Sequence, residues 1–249
     1  MLLALDVGNT NITLGLFDGS RLRAKGRLVT SARGLPRSLA AFVRRHKARV
    51  DDVVYGSVVP SVDGALEKAC GTAFRKKPLR VDPSTRLGMR LRVKTPRQVG
   101  ADRILNALAA FELARGAAVV IDFGTATTFD CVSPRGDYLG GAILPGPNMA
   151  ARALHEFTAK LPLVPVARPR RAIGKDTVEC IQGGLYFGYL GMIEKVLSLT
   201  LSELGGKPAV IATGGLSALF RGGLARGIRV EPDLTLNGLR IAHARMRGQ

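Results

Sequence analysis

One arrangement of residues occurs twice in this chain and constrains its fold more than any other feature. The apolar run Leu2-Leu3-Ala4-Leu5 leads into Asp6-Val7-Gly8-Asn9-Thr10, and Ala118-Val119-Val120-Ile121 leads into Asp122-Phe123-Gly124-Thr125-Ala126-Thr127. Each reads as a buried strand that ends in a carboxylate, a glycine and hydroxyl-bearing residues. The repetition predicts two related halves facing a shared cleft, each offering an Asp and a tight turn. Glycine lets a backbone approach a ligand closely, successive N–H groups hold anionic oxygens, and a carboxylate binds or orients a hydrated divalent cation. A polyphosphate with its metal is the ligand class that suits this pattern. Asp, Gly and Asn are also ordinary hairpin residues. However, a carboxylate closing an all-apolar strand is poorly placed for simple solvation, and two such closures make coincidence a weak account.

The residues after each turn narrow the choice. Ile12, Leu14 and Leu16 alternate after Asp6, which predicts a second strand; Phe17-Asp18-Gly19-Ser20 is a hairpin turn, and 21–29 a third strand. The Asp6 turn therefore joins strand to strand, whereas a dinucleotide-binding turn or a P-loop opens a helix, and G-x-x-x-x-G-K-[ST] is absent. The pattern then predicts a helix over 36–47, a strand over 53–58, a helix near 61–74, a strand near 78–81, irregular chain over 82–98 and a helix over 101–114. Strand, turn, strand, turn, strand begins again at 117, with Pro134-Arg135-Gly136-Asp137 as the second hairpin. Helices to about 157 and over 177–204, a strand over 209–212 and a last helix over 233–246 complete the chain. These halves predict domains of 1–115 and 116–249, divided near Gly116.

With 249 residues the chain can bury a real core, and a hydrophobic content of 46% argues against disorder. No apolar run is long enough to cross a bilayer, and Met1-Leu2-Leu3-Ala4-Leu5 lacks the basic flank of a signal peptide, so it reads as the first strand. Cys70, Cys131 and Cys180 lie far apart in apolar segments, which predicts buried thiols in a cytoplasmic protein. His46, His155 and His243 show no metal-ligand spacing and support no catalytic triad. Lys and Arg number 37 against 19 Asp and Glu, a formal net charge of +18. Such a balance fits anionic substrates and also raises nucleic-acid binding. The basic residues are scattered, however, and aromatics are only 5% of the chain, so no base-stacking platform is present. Nucleic acid is accordingly not the expected partner.

Three further segments carry candidate chemistry. Thr125, Thr127 and Thr128 after Asp122 offer hydroxyls to phosphate oxygens or a cation, although threonines also simply favour strands. Thr213-Gly214-Gly215 ends a strand before a helix, which suits close approach of a nucleotide at a helix N-terminus; a tight turn explains it nearly as well. In Gly100-Ala101-Asp102-Arg103, Asp102 shares a helix face with Asn106 and Arg103 sits about a quarter-turn away. That places a proton-accepting carboxylate beside a guanidinium suited to an anion, while Asp in a first turn also simply complements the helix dipole.

Strand–Asp-x-Gly–strand in two halves with a late Thr-Gly-Gly resembles the actin, sugar kinase and heat-shock chaperone superfamily. Within it, Asp6 to Asn11, Ser57-Val58-Val59-Pro60, Gly100 to Arg103, Asp122 to Thr128, Gly140 to Gly146, Ile173-Gly174-Lys175-Asp176-Thr177 and Thr213-Gly214-Gly215 resemble type III pantothenate kinase in order along the whole chain. The resemblance implies an α/β fold of two actin-like (ribonuclease H-like) lobes, each a mixed five-stranded sheet flanked by helices, with a cleft between them. It implies ATP-dependent phosphorylation of pantothenate to 4′-phosphopantothenate in the cytoplasm, the first step of coenzyme A biosynthesis. Asp102 is then the catalytic base, with Gly100, Arg103, Val93 and Thr177 at the pantothenate site. Asp6, Gly8, Asn9, Thr10, Thr125, Thr127 and Gly214 lie around ATP and its phosphates, Asp6 with the Mg²⁺ of Mg-ATP. Asp122 belongs to a monovalent-cation site for K⁺ or NH₄⁺. Thr177 reaches the other subunit's site, so a homodimer is implied. One stretch departs from the family pattern: Tyr-x-Asn-Pro reads Val93-Lys94-Thr95-Pro96 here, and losing the tyrosine hydroxyl predicts weaker substrate binding, by about 0.5–1.5 kcal/mol. The other reading is an accessory or regulatory protein of the same family that binds nucleic acid through its basic surface.

Overall fold

β1 (Leu2–Val7) is apolar on both faces: Leu3, Leu5 and Val7 enter one core and Leu2 and Ala4 another. A strand buried on both sides belongs in the middle of a sheet. In the computed structural model, which describes residues 1–248, β1 pairs antiparallel with β2 (Asn11–Asp18) and parallel with β4 (Asp52–Ser57). β3 (Arg21–Val29) and β5 (Leu79–Val81) complete a mixed sheet of order β3-β2-β1-β4-β5. The amphipathic helix α1 (Leu35–Arg45) and α2 (Pro60–Phe74) cover one face, burying Leu35, Leu39, Val43, Leu66 and Ala69 against Leu3, Leu5 and Tyr55. The other face receives Ile104, Leu105 and Leu108 of α3 (Ala101–Ala114), which comes after a short 3₁₀ turn at Pro96–Gln98.

The second sheet repeats the first strand for strand. β6 (Ala118–Phe123) pairs antiparallel with β7 (Ala126–Val132) and parallel with β9 (Ala209–Thr213); β8 (Tyr138–Pro145) and β10 (Arg229–Val230) form the edges, giving β10-β9-β6-β7-β8. The connections are α4 (Pro147–Glu156), the 28-residue α5 (Thr177–Leu204) and the short α6 (Ser217–Phe220). Tyr186, Tyr189, Ile193 and Leu197 of α5 pack with Val119, Ile121, Phe123 and Phe129. The chain thus holds two related halves, as the repeat predicts, each with the mixed five-stranded sheet flanked by helices that the resemblance implies.

The expected division near Gly116 needs correction. The compact units are Met1–Ala109 together with the chain from Leu234, and Ala110–Asp233, so the first boundary falls inside α3. The last helix, α7 (Leu234–Arg247), belongs to the first unit. Its Leu236, Leu239 and Ala242 pack with Ala4, Phe17 and Val54. Thr235 Oγ1 donates to Asn106 Oδ1 (2.7 Å), and His243 Nε2 and Arg247 Nη2 meet Asp52 Oδ2 at 2.8 and 2.6 Å. Gly238 lies so close to Leu105 that an added Cβ would fall 2.2 Å from its carbonyl oxygen.

Of the cysteines, Cys70 and Cys131 are buried and Cys180 is exposed near the start of α5, contrary to the expectation of three buried thiols. Burial pushes the Cys70 thiol up to about 12, with the nearby Glu67 acting in the same direction. Among the described residues, no helix is long and apolar enough to cross a membrane.

Candidate active site

Asp6 sits one residue before the end of β1, in register with Thr13 on β2 and with Gly56 on β4. The missing side chain at Gly56 makes room for α3: a Cβ there would lie 2.7 Å from Leu105 Cδ1 and 3.4 Å from Ala101 Cβ. The first turn of α3 therefore lies over the ends of β1 and β4 on the face that Asp6 shares. In the turn after β1, Gly8 N–H donates to the Asn11 carbonyl (3.0 Å), Thr30 N–H to the Thr10 carbonyl (3.1 Å) and Thr30 Oγ1 to the Gly8 carbonyl (2.6 Å). Thr30, at the end of the neighbouring strand, thus fixes the turn while Asn9 and Thr10 remain exposed.

Asp102 opens α3 on the same side of this unit. Its Oδ1 accepts the Arg103 N–H (2.8 Å), and a Cβ on Gly100 would fall 2.4 Å from that oxygen and 3.3 Å from Val58. Gly100 leaves the space that the Asp102 carboxylate occupies, a physical reason for the Gly-Ala-Asp-Arg order. Burial pushes the Asp102 carboxyl above its ordinary pKa, against the opposing pull of the Arg103 N–H and guanidinium. A carboxyl so shifted stands closer to the range in which a general base operates. One turn on, Asn106 is fully buried and hydrogen-bonded to Thr235, so it supports the helix rather than facing solvent.

In the second unit, Asp122 is in register with Thr128 and Thr213, as Asp6 is with Thr13 and Gly56. Its surroundings are tighter. Gly214 has φ +90°, and a Cβ there would lie 2.4 Å from Asp122 Oδ1 and 2.6 Å from the Phe123 backbone. Gly146, which caps α4, packs on the turn itself, where a Cβ would meet the Thr125 carbonyl at 2.1 Å. Ser217 Oγ donates to the Gly214 carbonyl (2.8 Å), holding the Thr-Gly-Gly turn. Thr125 is exposed at the tip of the Asp122 turn.

Thr127 departs from expectation. It is fully buried, and its hydroxyl is hydrogen-bonded to that of Tyr189 on α5, so it does not offer itself to phosphate. Strand alternation is the reason: Thr127, Phe129 and Cys131 share the core face of β7, whereas Thr128 Oγ1 turns to Asp130 (3.0 Å) on the other. Asp130 is fully buried and also accepts from Tyr138 (3.0 Å). Val93 lies partly buried in the irregular chain before the 3₁₀ turn. Thr177 is exposed as the first residue of α5, after Asp176, whose side chain caps the helix through Glu179 N–H (2.8 Å). Asp6, Gly8, Asn9, Thr10, Gly100, Asp102, Arg103 and Val93 fall in the first unit; Asp122, Thr125, Thr127, Thr177 and Gly214 fall in the second.

Sequence reasoning missed Thr30, Gly56 and Gly146. Gly146 ends the Gly140–Gly146 segment of the resemblance, but that segment does not show the turn beneath it, and a threonine at a strand end carries no signal. Among the described residues, no cluster of three or more His, Cys, Asp or Glu could hold a metal by protein ligands alone. The carboxylates of Asp6 and Asp122 are hard oxygen donors beside open or glycine-lined turns. That chemistry fits cations which keep water or substrate oxygens as their other ligands.

The family model for type III pantothenate kinase matches residues 2–198. The chain is 48% identical to a type III pantothenate kinase of Anaeromyxobacter dehalogenans, over 99% of this chain and 100% of the relative. It is 44% identical to that of Moorella thermoacetica, over 98% and 99% respectively. A crystal structure described as a conserved putative Baf family transcriptional activator from Campylobacter jejuni superimposes with a TM-score of 0.64 at 16% identity, over 99% of this chain and all of that one. That likeness shows the fold alone.

Proposed function

The chain belongs to the type III pantothenate kinase family, and from that premise we propose that it is a cytoplasmic enzyme that phosphorylates pantothenate at the expense of ATP. The product is 4′-phosphopantothenate, which opens coenzyme A biosynthesis. The observation that carries the reading is the placement of Asp102, desolvated and folded over Gly100, on the sheet face and strand ends that also bear Asp6.

Phosphoryl transfer passes through a loose transition state, so the protein mainly positions the reactants and neutralises charge. In this reading Asp102 aligns the primary hydroxyl of pantothenate and takes its proton late in the transfer. Arg103 pairs with the pantothenate carboxylate, Gly100 leaves room for the chain, and Val93 lines the site without the hydroxyl of the family's tyrosine. Asn9 and Thr10 present N–H and hydroxyl groups to ATP phosphates, and Gly8, its own N–H held by the Asn11 carbonyl, keeps the turn small enough for close approach; Thr125 and Gly214 are nucleotide-binding residues in the same reading. Asp6 would hold the hydrated Mg²⁺ of Mg-ATP and Asp122 would hold K⁺ or NH₄⁺, ions that would supply positive charge to the phosphoryl oxygens.

A homodimer is part of the proposal. α5 leaves Val178, Phe187, Met192 and Leu199 between 40% and 51% exposed beside Gly184, Gly188 and Gly191, each with open space around it. A second copy of this helix is the occupant that such a face suits, and Thr177 stands at its head. The test is a coupled ADP-release assay with pantothenate added or omitted, repeated with K⁺ exchanged for Na⁺. Turnover that requires pantothenate and responds to the exchange is the expected result. ADP release indifferent to pantothenate overturns the assignment.

A further inference from the structure

Three separated segments of the second unit meet in one aromatic cluster. Phe123 stands between Asp122 and Gly124 in the Asp122 turn. Phe220 ends α6, the short helix after Gly214-Gly215, and Tyr186 and Tyr189 come from the middle of α5. The Phe220 ring is stacked between Phe123 (5.4 Å, 15°) and Tyr186 (5.3 Å, 14°), and Tyr189 lies 5.1 Å from Phe220 and 6.3 Å from Phe123. All four rings belong to the buried core of this unit.

Within that cluster the two tyrosines differ in a way that packing does not demand. Tyr189 bonds to Thr127, the first paired residue after the Asp122 turn. Tyr186 is buried with its hydroxyl lacking a hydrogen-bond partner among the described residues. The segment Gly124 to Ala126 is therefore gripped from behind at both ends, by the Phe123 ring on one side and the Thr127 hydroxyl on the other. A turn that binds an anion through N–H groups works only if those groups are held to within about half an ångström.

We infer that Tyr189 is a positioning residue for the nucleotide: through the Thr127 hydroxyl it sets the Gly124–Ala126 turn, so that ATP affinity depends on the seating of α5. The inference rests on the kinase reading for the identity of the ligand. It deepens that reading by replacing direct contact of Thr127 with support from behind. Tyr186, which also packs on Phe220 in this cluster but makes no such bond, is the built-in control.

The experiment is calorimetric titration of the full chain with a non-hydrolysable ATP analogue and Mg²⁺, without pantothenate, on wild type, Tyr189→Phe, Thr127→Val, Thr127→Ser and Tyr186→Phe. A buried hydrogen bond contributes about 0.5–1.5 kcal/mol, so Tyr189→Phe and Thr127→Val weaken the analogue up to about tenfold. A variant combining Tyr189→Phe with Thr127→Val binds no more weakly than the weaker of the two single variants, as expected for residues acting through one bond. Thr127→Ser restores the hydroxyl and the affinity, and Tyr186→Phe stays within about twofold of wild type. In turnover, KM for ATP rises while KM for pantothenate does not. Wild-type affinity in Tyr189→Phe overturns the inference, as does an equal loss in Tyr186→Phe or a parallel rise of both KM values, since these report general loosening. Because the titration contains no acceptor, a wild type that binds the analogue but ignores pantothenate removes the kinase reading and leaves this comparison readable. A wild type that binds no nucleotide removes both.

Discussion

The two Asp-Gly turns hang from sheets of identical strand order, yet they are built differently. Between its flanking paired residues, Val7 and Ile12, the first turn runs from Gly8 through Asn11; between Phe123 and Thr127 the second has only Gly124 through Ala126. The first is open and tied by Thr30 from a neighbouring strand end, whereas Gly146 and Gly214 close in on the second. The strand frame has kept its register through the repeat while turn length and surroundings have diverged. A longer, exposed turn suits a phosphate chain approached from solvent. A shorter one, confined by Gly146 and Gly214, suits N–H groups held in fixed positions, with its Asp122 carboxylate suited to a small cation.

The sharpest way to test this contrast starts at Asp102, which stands beside the first turn's strand and has the perturbed carboxyl. Asp102→Asn is expected to lower kcat by at least ~100-fold with an unchanged circular dichroism spectrum; near-normal turnover removes it from the role. Its raised pKa means that the fold favours the neutral form. The stability this contributes is present below the ordinary aspartate pKa and is lost as pH rises through the shifted one. At neutral pH the Asn variant therefore melts no lower than wild type. kcat/KM of the wild type climbs with pH along a limb displaced upward from the ordinary aspartate range, and the variant lacks that limb.

Next in size is the exchange of the twin carboxylates. Asp6→Asn is expected to cost about tenfold or more in turnover, the scale of removing one charge-assisted hydrogen bond, and to raise the Mg²⁺ concentration needed. Asp122→Asn shifts the K⁺ requirement instead. Identical cation profiles for the two variants break the functional contrast. A structural version compares glycines by thermal unfolding: Gly146→Ala must displace backbone and costs about 1–3 kcal/mol, while Gly8→Ala, whose Cβ would lie 3.3 Å from the Asn11 carbonyl, costs under about 1 kcal/mol. Equal losses indicate that the second turn is no more confined than the first. The smallest effect is Thr30→Val, expected to cost about 0.5–1.5 kcal/mol and to raise KM for ATP a few-fold if the first turn carries phosphate.

The strands, the helices and their order were legible because apolar alternation and helical spacing are local properties. The Asp6 and Asp122 turns stood out for the same reason. Thr127 was misread because three neighbouring threonines look alike by composition; strict alternation along β7 separates Thr127, which shares the face of Phe129, from Thr128. The destination of α7 was not legible. Its stripe of Leu236, Leu239 and Ala242 says which side is buried but not against which sheet, and the crossing at Gly238 is visible only once both helices are placed. Thr30 and Gly56 act through neighbours distant in sequence, which no local pattern encodes.

The return of α7 also bears on the order in which the polypeptide matures. The second unit is one uninterrupted stretch, Ala110–Asp233, whereas the first lacks the cover of Leu236 and Leu239 until the chain beyond Leu234 exists. During synthesis from the N-terminus, the earlier-made sheet waits with one greasy side only partly covered, by α3 alone, while the later-made unit has everything it needs to close. The ribosome thus finishes last what it started first.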